Sequence, residues 1–93
     1  MQNGNGLYIT RGLFTEMLLD RQLQSEIAEA YSRYQKKDWG DLCEDDKAVN
    51  GEAIINGDRI LAAYETSKGR IYIITDDTKA EPQVTTVLFA SEY

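Results

Sequence analysis

The chain has 93 residues, 42% of them hydrophobic, 10% aromatic and 28% charged, with 10 Lys and Arg against 16 Asp and Glu for a formal net charge of −6. That length supports one small domain that buries about two-thirds of its unfolded surface around a thin core, with little room for a deep substrate pocket. The aromatic and β-branched content excludes a disordered chain, and the acidic excess argues against direct nucleic-acid binding.

Residues 1–9 read as a flexible lead-in, polar and glycine-rich, with no basic segment followed by an apolar core. The remainder, 10–93, reads as a single α+β domain. Thr10 suits a helix N-cap, Thr15 a later one, and Leu13, Phe14, Met17 and Leu18 recur at helical spacing, predicting a short helix over about 11–19. Asp20 suits the cap of a second helix, in which Leu23, Ile27, Tyr31 and Tyr34 form one apolar stripe. Lys36 and Lys37 fall in its last turn, where positive charge complements the helix dipole, and the helix is expected to stop before Asp38-Trp39-Gly40. A third helix is predicted over about 44–56, with Glu44, Asp45 and Asp46 in its first turn and Gly57 as a left-handed C-terminal residue. Gly51 in its middle weakens it by about 1 kcal/mol relative to alanine.

The last third changes period. Residues 59–66 and 70–75 read as strands joined by a Ser67-Lys68-Gly69 hairpin turn, 76–82 as a polar loop ending in the only proline, and 84–89 as a third strand. The expected architecture is two to three N-terminal helices packed on a three-stranded antiparallel β meander. The longest apolar runs, Ile71 to Ile74 and Val87 to Ala90, fall far short of the roughly 20 residues of a membrane helix. With one unpaired thiol, the chain reads as cytoplasmic and without a membrane partner.

Candidate chemistry is sparse. No histidine is present, which removes the commonest general base and metal ligand, and the single cysteine, Cys43, excludes an intramolecular disulfide and a cysteine-cluster zinc site. Cys43 also has no histidine to activate it, and three nearby acids oppose its ionisation. No glycine-rich loop has phosphate-binding spacing. Tyr64, Tyr72 and Trp39 suit the filling of a sheet–helix interface better than a stacking platform for bases. Arg59 and Arg70 flank the hairpin as cross-strand partners for Glu65. The chain therefore reads as a non-enzyme without cofactor or metal.

The distribution of charge is the most informative feature. Residues 1–37 sum to +1 and residues 59–93 to −1, so the whole net charge lies in 38–58, where Asp38, Asp41, Glu44, Asp45, Asp46, Glu52 and Asp58 face only Lys47. Three readings compete: a solvated helix face, a carboxylate metal site, and an anionic surface complementary to a basic groove on a protein partner. Asp41 to Asp46 lacks the alternating order and turn glycine of a calcium loop.

The run Asp38-Trp39-Gly40-Asp41-Leu42, followed by Asp46-Lys47, Asn50, Gly57-Asp58-Arg59-Ile60-Leu61-Ala62-Ala63-Tyr64, Ile71-Tyr72-Ile73-Ile74-Thr75, Thr85-Thr86-Val87-Leu88 and Glu92-Tyr93, resembles a family of small acidic bacterial proteins found on plasmids and prophages. The resemblance spans about residues 8–93. It departs at 76–83, where this chain has a longer loop containing Pro82 in place of a tighter Glu-x-Asp-Arg-Ser-like connection. The family carries no established reaction. Its setting on mobile elements implies an inhibitor of host defence, of the anti-restriction or anti-CRISPR kind. The expected partner is then an RNA-guided CRISPR effector nuclease, whose positively charged channel would be occupied by Asp38, Asp41, Glu44, Asp45, Asp46, Glu52 and Asp58. Trp39 would anchor the acidic turn or touch the partner. The alternative is a regulatory or structural interaction module of a mobile element, monomeric or homodimeric, with residues 84–89 as a pairing edge strand.

Overall fold

The computed structural model describes residues 6–80 and 83–93. In chain order they form β1 (Gly6–Ile9), α1 (Arg11–Leu18), α2 (Arg21–Gln35), α3 (Glu44–Asn56), β2 (Ile60–Thr66), β3 (Gly69–Thr75), β4 (Val84–Phe89) and a 3-10 turn (Ala90–Glu92). The class is α+β. The sheet is mixed and has four strands in the order β1-β4-β3-β2, where a three-stranded antiparallel meander was expected. β2, β3 and β4 do form that meander, and β1 adds to it in parallel with β4. Residues 6–9 of the expected lead-in are thus a strand that precedes the helices; the rest of that lead-in, 1–5, lies outside the described residues.

The helices begin where their caps dictate. The Thr10 hydroxyl accepts from the Leu13 N–H and the Asp20 carboxylate from the Leu23 N–H, each satisfying a first-turn donor. Thr15, read as a second cap, lies inside α1. α2 buries Leu23, Ile27, Ala30 and Tyr34, the expected stripe with Ala30 added and Tyr31 at its margin. These pack with Leu13, Trp39 and Ala53 against Ile60, Ala62, Tyr64, Ile71, Ile73 and Val87 to form the core. Period-two alternation places those strand residues on one face of the sheet.

α2 ends in a left-handed turn. Lys37 has φ 64°, with the Lys37 N–H donating to the Tyr34 carbonyl and the Asp38 N–H to the Arg33 carbonyl. The chain then runs along the outer edge of β2. The Ala63 N–H donates to the Trp39 carbonyl (3.3 Å) and the Asp41 N–H to the Ala63 carbonyl (2.7 Å), a parallel bridge centred on Gly40. One step along the same edge, the buried Asn50 of α3 donates to the Leu61 carbonyl (2.7 Å) and accepts from the Leu61 N–H (3.3 Å). The outward backbone groups of Leu61 and Ala63 are therefore taken, and most of this edge is closed to another strand.

At the other end of the β2–β3 hairpin, the Glu26 carboxylate accepts from the Ser67 N–H and hydroxyl. Gly69 has φ 116°, as the hairpin turn requires. Glu65 and Arg70 are register partners and pair at 2.7 Å, as expected, whereas Arg59 turns to Asp76 and Tyr93. β4, expected as a free edge, has strands on both sides and is unavailable for pairing between chains.

Two glycines test this description in opposite directions. Gly40 has φ 76°, and a Cβ there would overlap the Ala63 carbonyl, so Gly40→Ala is expected to lose at least about 3 kcal/mol. Gly51 sits in α3 with nothing near an added Cβ, so Gly51→Ala is expected to gain about 1 kcal/mol. Urea midpoints of the two variants check both signs.

Candidate functional site

The acidic segment is built outward from the Gly40 bridge. Asp38 begins it, and its carboxylate is committed: Arg33 Nε donates to Asp38 Oδ2 at 2.8 Å, Arg33 Nη2 to Oδ1 at 3.2 Å, and the Gly40 N–H to Oδ1 at 3.1 Å. Arg33 also lies over the Tyr64 ring, 5.2 Å from its centroid, and the Tyr64 hydroxyl donates to the Asp38 carbonyl at 2.7 Å. These contacts hold the turn on the sheet. They also neutralise Asp38 internally, so it is not one of the carboxylates available to a partner.

Trp39 belongs to the core. It is 7% exposed and meets Tyr34 edge-on, with ring centroids 5.6 Å apart. It anchors the turn and lies off the exposed surface. Glu44 faces Lys47 across one turn at 3.7 Å, a solvated pair of little energetic consequence.

Asp41, Asp45, Asp46, Glu52 and Asp58 are exposed and make no ion pair among the described residues. α3 turns Asn50 and Ala53 inward. At about 100° per residue, Asp45 and Glu52 then project together on the outward side with Glu44 beyond them, whereas Asp46 falls on the side of Asn50. Asp41 precedes the helix and Asp58 follows it, so the five carboxylates span about 20 Å, the length of 13 helical residues at 1.5 Å each. They form a sparse strip along the helix rather than one cluster. Among the described residues no three Asp, Glu, Cys or His side chains come together to hold a metal ion. Cys43 is exposed at the start of α3 and gives its first turn no side-chain cap.

The strip includes apolar members that the sequence reading passed over. Val49 is 60% and Ile55 77% exposed, one on each side of the outward acids. In sequence both look like core positions. Only the inward orientation of Asn50, whose amide closes the β2 edge, shows that they face solvent.

Hydrogen bonding from Arg33, aided by the Gly40 N–H, holds the Asp38 carboxyl below its ordinary value of 3.8. A carboxylate depressed in the folded state adds stability that is present above its unfolded value and is lost as pH falls through the folded one. The Ser67 N–H likewise lowers Glu26 from 4.5. Stability is therefore expected to fall on acidification below about pH 4.5, with a shallower decline in Arg33→Gln. Urea midpoints measured across that range check the difference in slope.

Comparison with protein-family models, with curated proteins and with solved structures yields no match.

Proposed function

We propose that the protein is a non-enzymatic inhibitor that binds a basic nucleic-acid-binding groove of a bacterial defence nuclease, an RNA-guided effector above all. The observation that carries this reading is the outward side of α3, where carboxylates without ion pairs alternate with exposed Val49 and Ile55. Val49 and Ile55, at 60% and 77% exposure, would give such a contact an apolar component beside the carboxylates. The resemblance to acidic proteins of mobile elements supplies the class of partner.

Charge spacing refines what is imitated. Over about 20 Å a DNA duplex presents roughly 12 phosphates and a single strand roughly 6. Five carboxylates over that length, not all on one side of α3, fall well short of a duplex and come nearer to one strand. The groove addressed is then one that tracks a single backbone or reads a short protospacer-adjacent motif, with lysines and arginines pairing to Asp41, Asp45, Asp46, Glu52 and Asp58. Val49 and Ile55 supply the apolar contact that charge alone does not.

The test mixes the purified protein with guide-free, guide-loaded and DNA-bound effector. Inhibitory binding is expected to weaken as salt rises, and the triple change Asp41→Asn, Asp45→Asn and Asp46→Asn to cost at least about tenfold in affinity. Unchanged inhibition by the triple variant would end the strand-mimicry reading.

A second reading, a homodimeric interaction module, is favoured by β1. The Gly6 N–H donates to the Gln83 carbonyl and the Thr10 N–H to the Val87 carbonyl, so the groups of Leu7 and Ile9 face away from β4. Tyr8 of this strand is 60% exposed, and Leu18 and Leu19 at the end of α1 are 63% and 85% exposed. On this reading light scattering gives twice the chain mass, and Leu7→Pro restores the monomer.

A further inference from the structure

At the end of the sheet where β2 and β4 begin and β3 finishes, a cavity of about 510 Å³ opens between the strands and the last turn of α2. The short chain argued against a pocket of this size, yet the volume falls within the roughly 300–1,000 Å³ of small-molecule sites. It is separate from the acidic strip.

Three hydroxyls line its inner part. Tyr34 Oη and Thr75 Oγ1 are 2.6 Å apart, and Thr75 Oγ1 and Thr85 Oγ1 are 2.7 Å apart. All three residues are buried, Thr75 at 2% exposure. Three hydroxyls bring three hydrogens, and the two links use two of them. The third hydrogen stays on one of the three hydroxyls, and no hydrogen bond among the described residues takes it. Burial pushes the Tyr34 phenol up to about 12, so it meets an occupant as an O–H. A buried hydroxyl hydrogen beside a cavity asks for an acceptor.

The second observation concerns Lys37, which lines the same cavity. It holds the left-handed position that ends α2, with φ 64°. Glycine or asparagine takes that position at little cost, whereas a lysine is strained there by about 1–2 kcal/mol. The strain persists at a position on the cavity wall, within a flexible side chain's reach of an occupant. The half-buried Tyr31, with the small exposed parts of Tyr34 and Trp39, supplies aromatic surface to the same wall.

We propose that this cavity binds a small planar aromatic carboxylate, its ring against those aromatic side chains and its carboxylate oxygens accepting from Lys37 and from the unspent hydroxyl hydrogen of the Tyr34–Thr75–Thr85 chain. Each part of the ligand answers one part of the site: the ring matches the aromatic wall, the acceptor oxygens match the unspent hydrogen, and the negative charge matches the ammonium.

Benzoate, benzamide and benzylamine share a ring and differ in the charge of the attached group, so they separate these contributions. Titrated into the 15N-labelled protein, benzoate is expected to give saturable shifts at the Tyr34, Lys37, Thr75 and Thr85 amides, and to change the fluorescence of Trp39, the only tryptophan. Benzylamine is expected to leave both signals unmoved. Lys37→Asn keeps a residue tolerant of the left-handed backbone and removes the charge, so it should weaken benzoate by about tenfold and leave benzamide unchanged. The proposal is overturned by an absence of saturable shifts up to about 10 mM benzoate, by benzylamine binding as well as benzoate, or by undiminished benzoate binding in Lys37→Asn.

Discussion

The architecture depends on the docking of the Trp39–Asp41 turn onto the outer edge of β2. Two backbone hydrogen bonds to Ala63 tie the turn to the sheet, and Gly40 is the residue that allows the approach. A strand edge exposes donors and acceptors that cost free energy when dehydrated and invite foreign strands when wet. Here one short turn satisfies those at Ala63, places Trp39 in the core and sets the direction in which α3 departs. Asn50 then satisfies the next outward pair, at Leu61. Because α3 must turn Asn50 toward β2, its opposite side, with Asp45, Glu52 and Ile55, has to face solvent. The exposure of the acidic strip is thus a consequence of edge protection.

The residues legible in advance were those governed by local rules. Thr10 and Asp20 as caps, the α2 stripe, Gly57 as a left-handed terminus and the Ser67–Gly69 turn each follow from a few neighbouring side chains, and each stands where the sequence placed it. The β1 strand was not legible. It has four residues, it begins with glycine, and its partner β4 is distant in sequence, so neither alternation nor a turn signal announces it. Missing β1 made β4 look like an edge, and the expected site of pairing between chains moved accordingly.

The site was partly legible for a similar reason. Charge counting located the segment that carries the net charge, because counting needs no geometry. It could not show that Asp38 spends its charge on Arg33, since that pair depends on the left-handed turn at Lys37 that brings the end of α2 back against the Asp38–Gly40 segment. Nor could it show that Trp39 is internal, which rests on the edge-on contact with Tyr34. The hydroxyl chain joins threonines from two strands to a tyrosine from a helix, and only the assembled sheet register brings Thr75 opposite Thr85.

The parallel pairing of β1 with β4 sets an order of events during synthesis. Gly6 pairs with Val84, so β1 leaves the ribosome well before the strand that becomes its neighbour. The helices and the β2–β3 hairpin, built on nearby contacts, are free to assemble in the interval. Until β4 emerges, the nascent chain carries Leu7, Tyr8 and Ile9 without the strand they pair with.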